Sequence, residues 1–198
     1  MQKYMKDLFL FLGIKSPLRK ELTKEFFLES GILKKDFQPG FVTMLWKKRE
    51  REYQYVALDY LERSLKKLQK KDLFLMKELI ITKSWWDTVD MLASKPVGKI
   101  AEDHPEVIIE EIEDWSVCDN LWLRRTSILF QLKYKESTDE NLLYKYILRN
   151  ADSKEFFIQK SIGWSLREYS KTNPESVREF IASNPLARLS VREGSKYL

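Results

Sequence analysis

The sequence predicts an all-α fold built as a stack of helical hairpins, and three observations predict it. Apolar residues recur at i, i+3 and i+4 along successive segments, helix start and stop signals return at short intervals, and nothing alternates convincingly with period two. With only six Gly and six Pro in 198 residues, turn-dense β folds and long disordered linkers are both disfavoured. A composition of 43% hydrophobic and 33% charged residues can bury a sizeable core, so one domain over residues 1–198 is expected.

Each element has its own signal. The apolar run LFLFLGI at 8–14 is too short to span a bilayer, lacks a small-residue cleavage site and runs into KSPLRK, so it reads as core rather than signal peptide. Ser16-Pro17 opens a helix with a cap residue and a first-turn proline, and Gly31 closes it. Tyr53, Val56, Ala57, Tyr60, Leu61, Leu65 and Leu68 mark one apolar helix face. Ser84 with Asp87 resembles a capping box at the head of a helix through SWWDTVD. Leu142, Leu143, Tyr146 and Ile147 give another face, Asn173-Pro174 with Glu175 starts a further helix, and Ser190 with Glu193 forms an S-x-x-E box. With short connections, about ten to twelve helices are expected.

A weak internal echo suggests how they stack. WLRRTSILFQLKY (122–134) and FIQKSIGWSLREY (157–169) align at a shift of 35 residues, the length of a helical hairpin with its loops, and EYQYVALDYLERS is a fainter copy. HEAT-like pairs stacked this way would place residues of successive inner helices on one concave face. Arg125 and Lys160 occupy matching positions and would project into the same groove.

One cysteine excludes an internal disulfide, and with a single histidine it excludes a conventional Cys/His zinc cluster, so a reducing, cytoplasmic setting is expected. Cys118 reads as small and buried, and His104 as a cap or surface residue. No GxGxxG, P-loop, HExxH or GxSxG pattern is present, so no cofactor or metal is expected.

Charge is segregated along the chain. Residues 1–100 carry 21 bases against 13 acids, 101–123 carry eight acids with no Lys or Arg, and 124–198 carry 14 bases against nine acids. That pattern suits a polyanion on one surface, and equally a salt-bridged helical exterior.

Within SWWDTVD, Trp86 and Asp90 are four apart and share one helix face, with Trp85 and Val89 on the neighbouring stripe. The simplest division sends Trp85 and Val89 to the core and turns Trp86 and Asp90 outward, where a ring and a carboxylate both favour a cation. The alternative puts both indoles in the core and pairs Asp90 with a base on a neighbouring helix. Gly163 precedes Trp164 inside a helix and implies that a packed helix or a ligand uses the space. Trp122 reads as core. Arg124 and Arg125 point about 100° apart, so one is expected in a surface pair and the other in the groove.

The runs YMKDLFLFLGIKSP, ALDYL, ITKSWWDTVD, DNLWLRR, ILFQLKYK, DSKEFFIQKSIGWSLREYSKTNP and LSVRE resemble the AlkD-like alkylpurine DNA glycosylases over nearly the whole chain. The resemblance implies a right-handed superhelical stack of antiparallel HEAT-like helix pairs. It also implies hydrolysis of the N-glycosidic bond of purines made cationic by N3 or N7 alkylation, in double-stranded DNA, without flipping the base. By motif the working residues would be Trp86, Asp90, Arg125 and Trp164, with Arg125 gripping a backbone phosphate. Tyr4, in the same cleft, and Ser16, Arg124, Lys160, Arg167 and Arg192 would contact the DNA. The protein would act as a monomer.

The chain begins at MQKYMK, where the family carries a further helix and a longer second one that approach the minor groove. Two alternatives to an active glycosylase therefore stand: a DNA-binding paralogue with weak or no excision, and a protein-binding helical scaffold.

Overall fold

Residues 3–198 are described by the computed structural model, and their regular elements are all helical. An isolated parallel bridge between Leu10 and Glu50 is the one strand-like pairing among them. The helices group into two compact units, Met1–Leu75 and Met76–Leu198. No helix of the described residues is long and apolar enough to cross a membrane.

The first unit packs α1 (Ser16–Ser30), α2 (Pro39–Lys47) and α3 (Arg51–Arg63). Tyr60 is its hub, with the rings of Phe27, Phe37 and Phe41 at 6.0, 5.9 and 5.1 Å, above buried Val42, Leu45, Trp46, Ala57 and Leu61. Gly31 ends α1 in the left-handed conformation at φ 60°, as its position in the sequence predicts. Ser16 is not the cap: Lys15 holds that position, makes no side-chain cap bond, and leaves Ser16 as the first helical residue beside Pro17.

The 8–14 run is not core. Leu8, Leu10 and Leu12 are exposed, because the segment runs extended beside the start of α3 rather than beneath it. Backbone N–H groups of Leu12, Gly13 and Ile14 donate to the buried Glu52 carboxylate at 3.0, 2.9 and 3.3 Å, Arg51 N–H donates to Leu10 O at 2.8 Å, and the Arg51 guanidinium lies 3.9 Å from the Phe9 ring centre. Polar anchoring fixes this stretch where burial was expected to.

After α4 (Asp72–Ile81), the second unit continues with α5 (Trp86–Leu92), a π-helical turn Ala93–Val97, α6 (Gly98–Asp103), a second π-turn Ile108–Ile112 and the short α7 (Glu113–Trp115). Then follow α8 (Leu121–Leu129), α9 (Glu140–Leu148), α10 (Phe156–Tyr169), α11 (Pro174–Ser183) and α12 (Arg188–Gly194). Asn120 caps α8 by accepting from Trp122 and Leu123 N–H at 2.9 and 3.1 Å, and Asn173 caps α11 through Ser176 N–H at 3.3 Å; each such cap is worth about 1 kcal/mol.

Two expected boxes do not form. Ser84 Oγ donates to Ile80 O at 2.6 Å and leaves Trp85 as the cap of α5, while Ser190 lies inside α12 and donates to Gln159 O at 2.9 Å. In both, the hydroxyl satisfies a carbonyl instead of a helix-end N–H.

The shift-35 echo corresponds to neighbouring helices in register. Trp122 touches Phe157 near the heads of α8 and α10, and Trp164 packs on Leu129 near their other ends, so the two run the same way. Ile128, Leu143, Ile147, Ile158, Ile162, Leu166, Val177 and Phe180 interlock between α8, α9, α10 and α11 as the main core of this unit.

Candidate functional site

The site is built on α5, α8 and α10. Asp90 sits on α5 and Arg125 on α8, and the guanidinium grips the carboxylate from Nε to Oδ1 at 2.7 Å and from Nη2 to Oδ2 at 2.9 Å. Its remaining amino group donates to the main-chain carbonyl of Phe157 in the first turn of α10. One side chain therefore ties three helices, α5, α8 and α10. The pair is largely withdrawn from water, with side-chain exposures of 5% for Arg125 and 13% for Asp90. Burial pushes the Asp90 pKa above the usual carboxylate range, the Arg125 hydrogen bonds and charge oppose that rise, and nearby Asp87 adds to it.

Trp86, the first residue of α5 and half-buried, lies one turn before Asp90 on the same face. Trp85 forms an aromatic cluster with Trp122 and Phe157, their ring centres 5.1 to 5.8 Å apart. Val89 is fully buried. Trp164 is half-buried against Ala93, Leu129 and Leu132. Neither indole of the expected pair is engulfed by the core, yet Asp90 has the cationic partner that the structural alternative required.

Arg125 does not project into open space. Its position, matched with Lys160 in the echo, faces a carboxylate 35 residues earlier, and the ion pair draws it inward. The two adjacent arginines do not divide as expected: Arg125 is in a buried pair rather than a surface one, and half-exposed Arg124, whose Nε is buried, has no hydrogen-bond or ion-pair partner among the described residues.

A second cluster gathers Lys160 and Arg167 of α10 with Arg192 of α12 and Lys196 around Glu193, at 3.2, 3.1, 3.9 and 2.8 Å. Four cations share one acid, leaving a positive surface with a fixed frame. Hydrogen bonds from Lys196, working against burial and helped by Lys160, hold Glu193 down to about 2. This cluster brings together three of the residues expected to contact DNA, Lys160, Arg167 and Arg192. Its trace in the sequence is the spacing of seven between Lys160 and Arg167, which puts both on one face of α10, with Arg192 and Lys196 flanking Glu193.

Gly163 serves a packed helix, not a ligand. A Cβ there would lie 2.5 Å from Glu193 Cβ and 2.9 Å from Ser190 O on α12. Tyr4 and Ser16 belong to the first unit, where both are exposed. Cys118 is half-buried rather than buried, and His104 ends α6 as its C-cap. The acidic stretch is a paired exterior: Glu111 meets Lys77 at 2.9 Å, Lys99 meets Glu102 and Asp103 at 3.1 and 2.7 Å, and Glu113 binds Lys145, Tyr146 and Arg149 at 2.6, 2.9 and 2.6 Å.

A carboxylate held by an arginine between α5 and α8, with a base-rich cluster on α10 and α12, is thus set on an all-helical scaffold. The whole chain, residues 1–198, matches the family described as DNA alkylation repair enzyme, and the protein belongs to that family. Among solved structures it is similar to a predicted DNA alkylation repair enzyme from Enterococcus faecalis, at 38% identity over 100% of this chain and 92% of that one, with a TM-score of 0.90. It is also similar to smu.31 from Streptococcus mutans UA159, at 17% identity over 91% and 97% of the two chains with a TM-score of 0.65, a likeness of fold alone. No curated protein matches the chain.

Proposed function

We propose that the protein hydrolyses the N-glycosidic bond of purines made cationic by alkylation at N3 or N7, in duplex DNA and without flipping the base. The observation that supports this reading is Asp90, a largely buried carboxylate held by a guanidinium that stays charged, one helical turn from an indole. An alkylated purine leaves as a neutral base, taking the electron pair of the C1′–N bond, while the deoxyribose becomes electron-poor. Water then bonds to C1′ and gives up a proton to solvent. The carboxylate stabilises the sugar cation and orients that water, and the ring faces of Trp86 and Trp164 attract the same charge. Each carboxylate oxygen carries two lone pairs, so the grip of Arg125 still leaves Asp90 able to accept from water.

In this reading Arg125 holds Asp90 rather than a phosphate. Arg124, Lys160, Arg167 and Arg192 contact the DNA backbone, as do Tyr4 and Ser16 on the first unit.

A second reading has its own support: both oxygens of Asp90 are occupied, which is also what a purely structural tie requires, and the protein would then bind DNA without excising a base. A single-turnover assay of 7-methylguanine and 3-methyladenine release from methylated duplex, with Asp90→Asn beside the wild type and a parallel binding measurement, separates the two. Release that Asp90→Asn abolishes supports the glycosylase. Binding without release supports the second reading, and neither binding nor release sinks both.

A further inference from the structure

The first unit carries an apolar stripe that the described residues leave half-exposed. On α1, Leu18, Leu22 and Phe26 are spaced by four and remain 50%, 48% and 44% exposed, while Thr23 and Phe27 on the opposite side are buried. At 100° per residue these three and Glu29 lie within an arc of about 80°. Phe26 stacks on Phe41 of α2 at 5.8 Å and 16°, and Met44, one turn further along α2, is also exposed, so the stripe widens across two helices. Half-exposed apolar side chains in one row, rather than scattered singly, mark an interaction surface.

The charges at the ends of α1 indicate what covers it. Lys15 stands at the N-terminal end and Glu29 in the last turn, with no acid in the first turn and no base in the last. Both signs are wrong for the helix's own dipole, which favours anions at its start and cations at its end. Neither side chain has a partner among the described residues. The face is self-complementary about Leu22: four residues lie from it to Leu18 and to Phe26, and seven to Lys15 and to Glu29. An antiparallel copy of the same helix would set Leu22 on Leu22, Leu18 on Phe26 and Lys15 on Glu29, and would bring each misplaced charge to the helix end that favours it.

In place of the monomer expected from the sequence, we propose that α1 pairs antiparallel with α1 of a second copy of this chain, about a two-fold axis through Leu22. The contact is isologous and closes at a dimer. It needs no DNA and does not depend on the chemistry of Asp90.

Sedimentation or light scattering of the full chain, from about 10 to about 200 µM, tests it, because a contact of one helix pair falls below the standard interface size and is populated in that range. A concentration-dependent dimer is expected. Leu22→Asp places two acids face to face on the axis and should weaken dimerisation about a hundredfold or more. Lys15→Glu should weaken it, and Lys15→Glu combined with Glu29→Lys should restore it.

At interaxial distances typical of packed helices the two Cα atoms of residue 22 would lie roughly 4–6 Å apart, within disulfide reach. In a Cys118→Ser background, Leu22→Cys should therefore oxidise to a linked dimer while the off-face Leu28→Cys should not, which decides the matter even if Leu22→Asp fails to fold. A monomer throughout the range, a dimer indifferent to Leu22→Asp, or equal crosslinking at residues 22 and 28 would overturn the proposal.

Discussion

Arg125 holds both carboxylate oxygens of Asp90, at 2.7 and 2.9 Å, from a helix that begins 35 residues after α5. Removing the cation leaves the carboxylate buried and alone. Arg125→Ala should cost about 3–5 kcal/mol at neutral pH, read as a loss in denaturant midpoint. The sign with pH follows from Asp90: burial already raises its pKa, and without Arg125 that rise is unopposed. The folded variant then takes up a proton more readily than the unfolded chain, so its deficit should shrink as pH falls from 7 toward 5 and grow again on returning. A deficit independent of pH would show that Asp90 does not feel the guanidinium.

Excision should respond in the same direction. If the carboxylate must be ionised to act, the acid limb of the single-turnover rate profile moves to higher pH in Arg125→Ala. Asp90→Asn should lower release by about 100-fold or more at every pH, with DNA affinity little changed.

Arg124 is the neighbour without a partner, so it, rather than Arg125, is expected to meet phosphate. Arg124→Ala should reduce affinity for methylated and unmodified duplex alike and lower the slope of log K against log salt by about 1. A variant that keeps the wild-type slope would place this guanidinium off the DNA.

Gly163 meets α12 so closely that a methyl group has no room. Gly163→Ala should destabilise the protein by about 1–3 kcal/mol despite the better helix propensity of Ala, measured by chemical denaturation. Stabilisation instead would show that α10 and α12 can part without cost.

Glu193 is held down to about 2 by Lys196 and Lys160, against an ordinary value of 4.5. A carboxylate with a depressed folded-state pKa stabilises the protein above its unfolded pKa and loses that contribution as pH falls through the folded one. The stability gap between wild type and Glu193→Gln should therefore be constant near neutrality and close between about pH 4.5 and pH 2. A gap that persists at pH 2 would attribute it to packing.

The all-α class and the apolar faces of α3 and α9 were legible because they rest on local periodicity, which Ala57, Tyr60, Leu61, Leu143, Tyr146 and Ile147 bear out by burial. The echo was legible as well, since helices in register repeat their aromatic and aliphatic positions. Which charge meets which was not: a shift of 35 brings Arg125 to Asp90 as readily as it aligns Arg125 with Lys160, and only the packed geometry selects. Serine positions misled for a related reason, because a hydroxyl can cap an N–H or return to a carbonyl, and Ser84 and Ser190 do the latter. The 8–14 run looked like core because composition does not register that Glu52 can anchor an exposed strip by its backbone.

The π-turn at Ala93–Val97 has a consequence for how this chain can vary. Pro96 in an ordinary α-turn would collide with the carbonyl of Leu92, and the wider winding accommodates the ring by using one extra residue. Everything downstream is thereby out of phase with Asp90 by about 100°, and this brings Gly98 to the Phe130 carbonyl, where a Cβ would come within 2.5 Å. Deleting a residue from 93–97 other than Pro96 would return the proline ring to an ordinary α-turn and to a clash with the carbonyl four residues before it, so the segment tolerates changes of identity far better than changes of length.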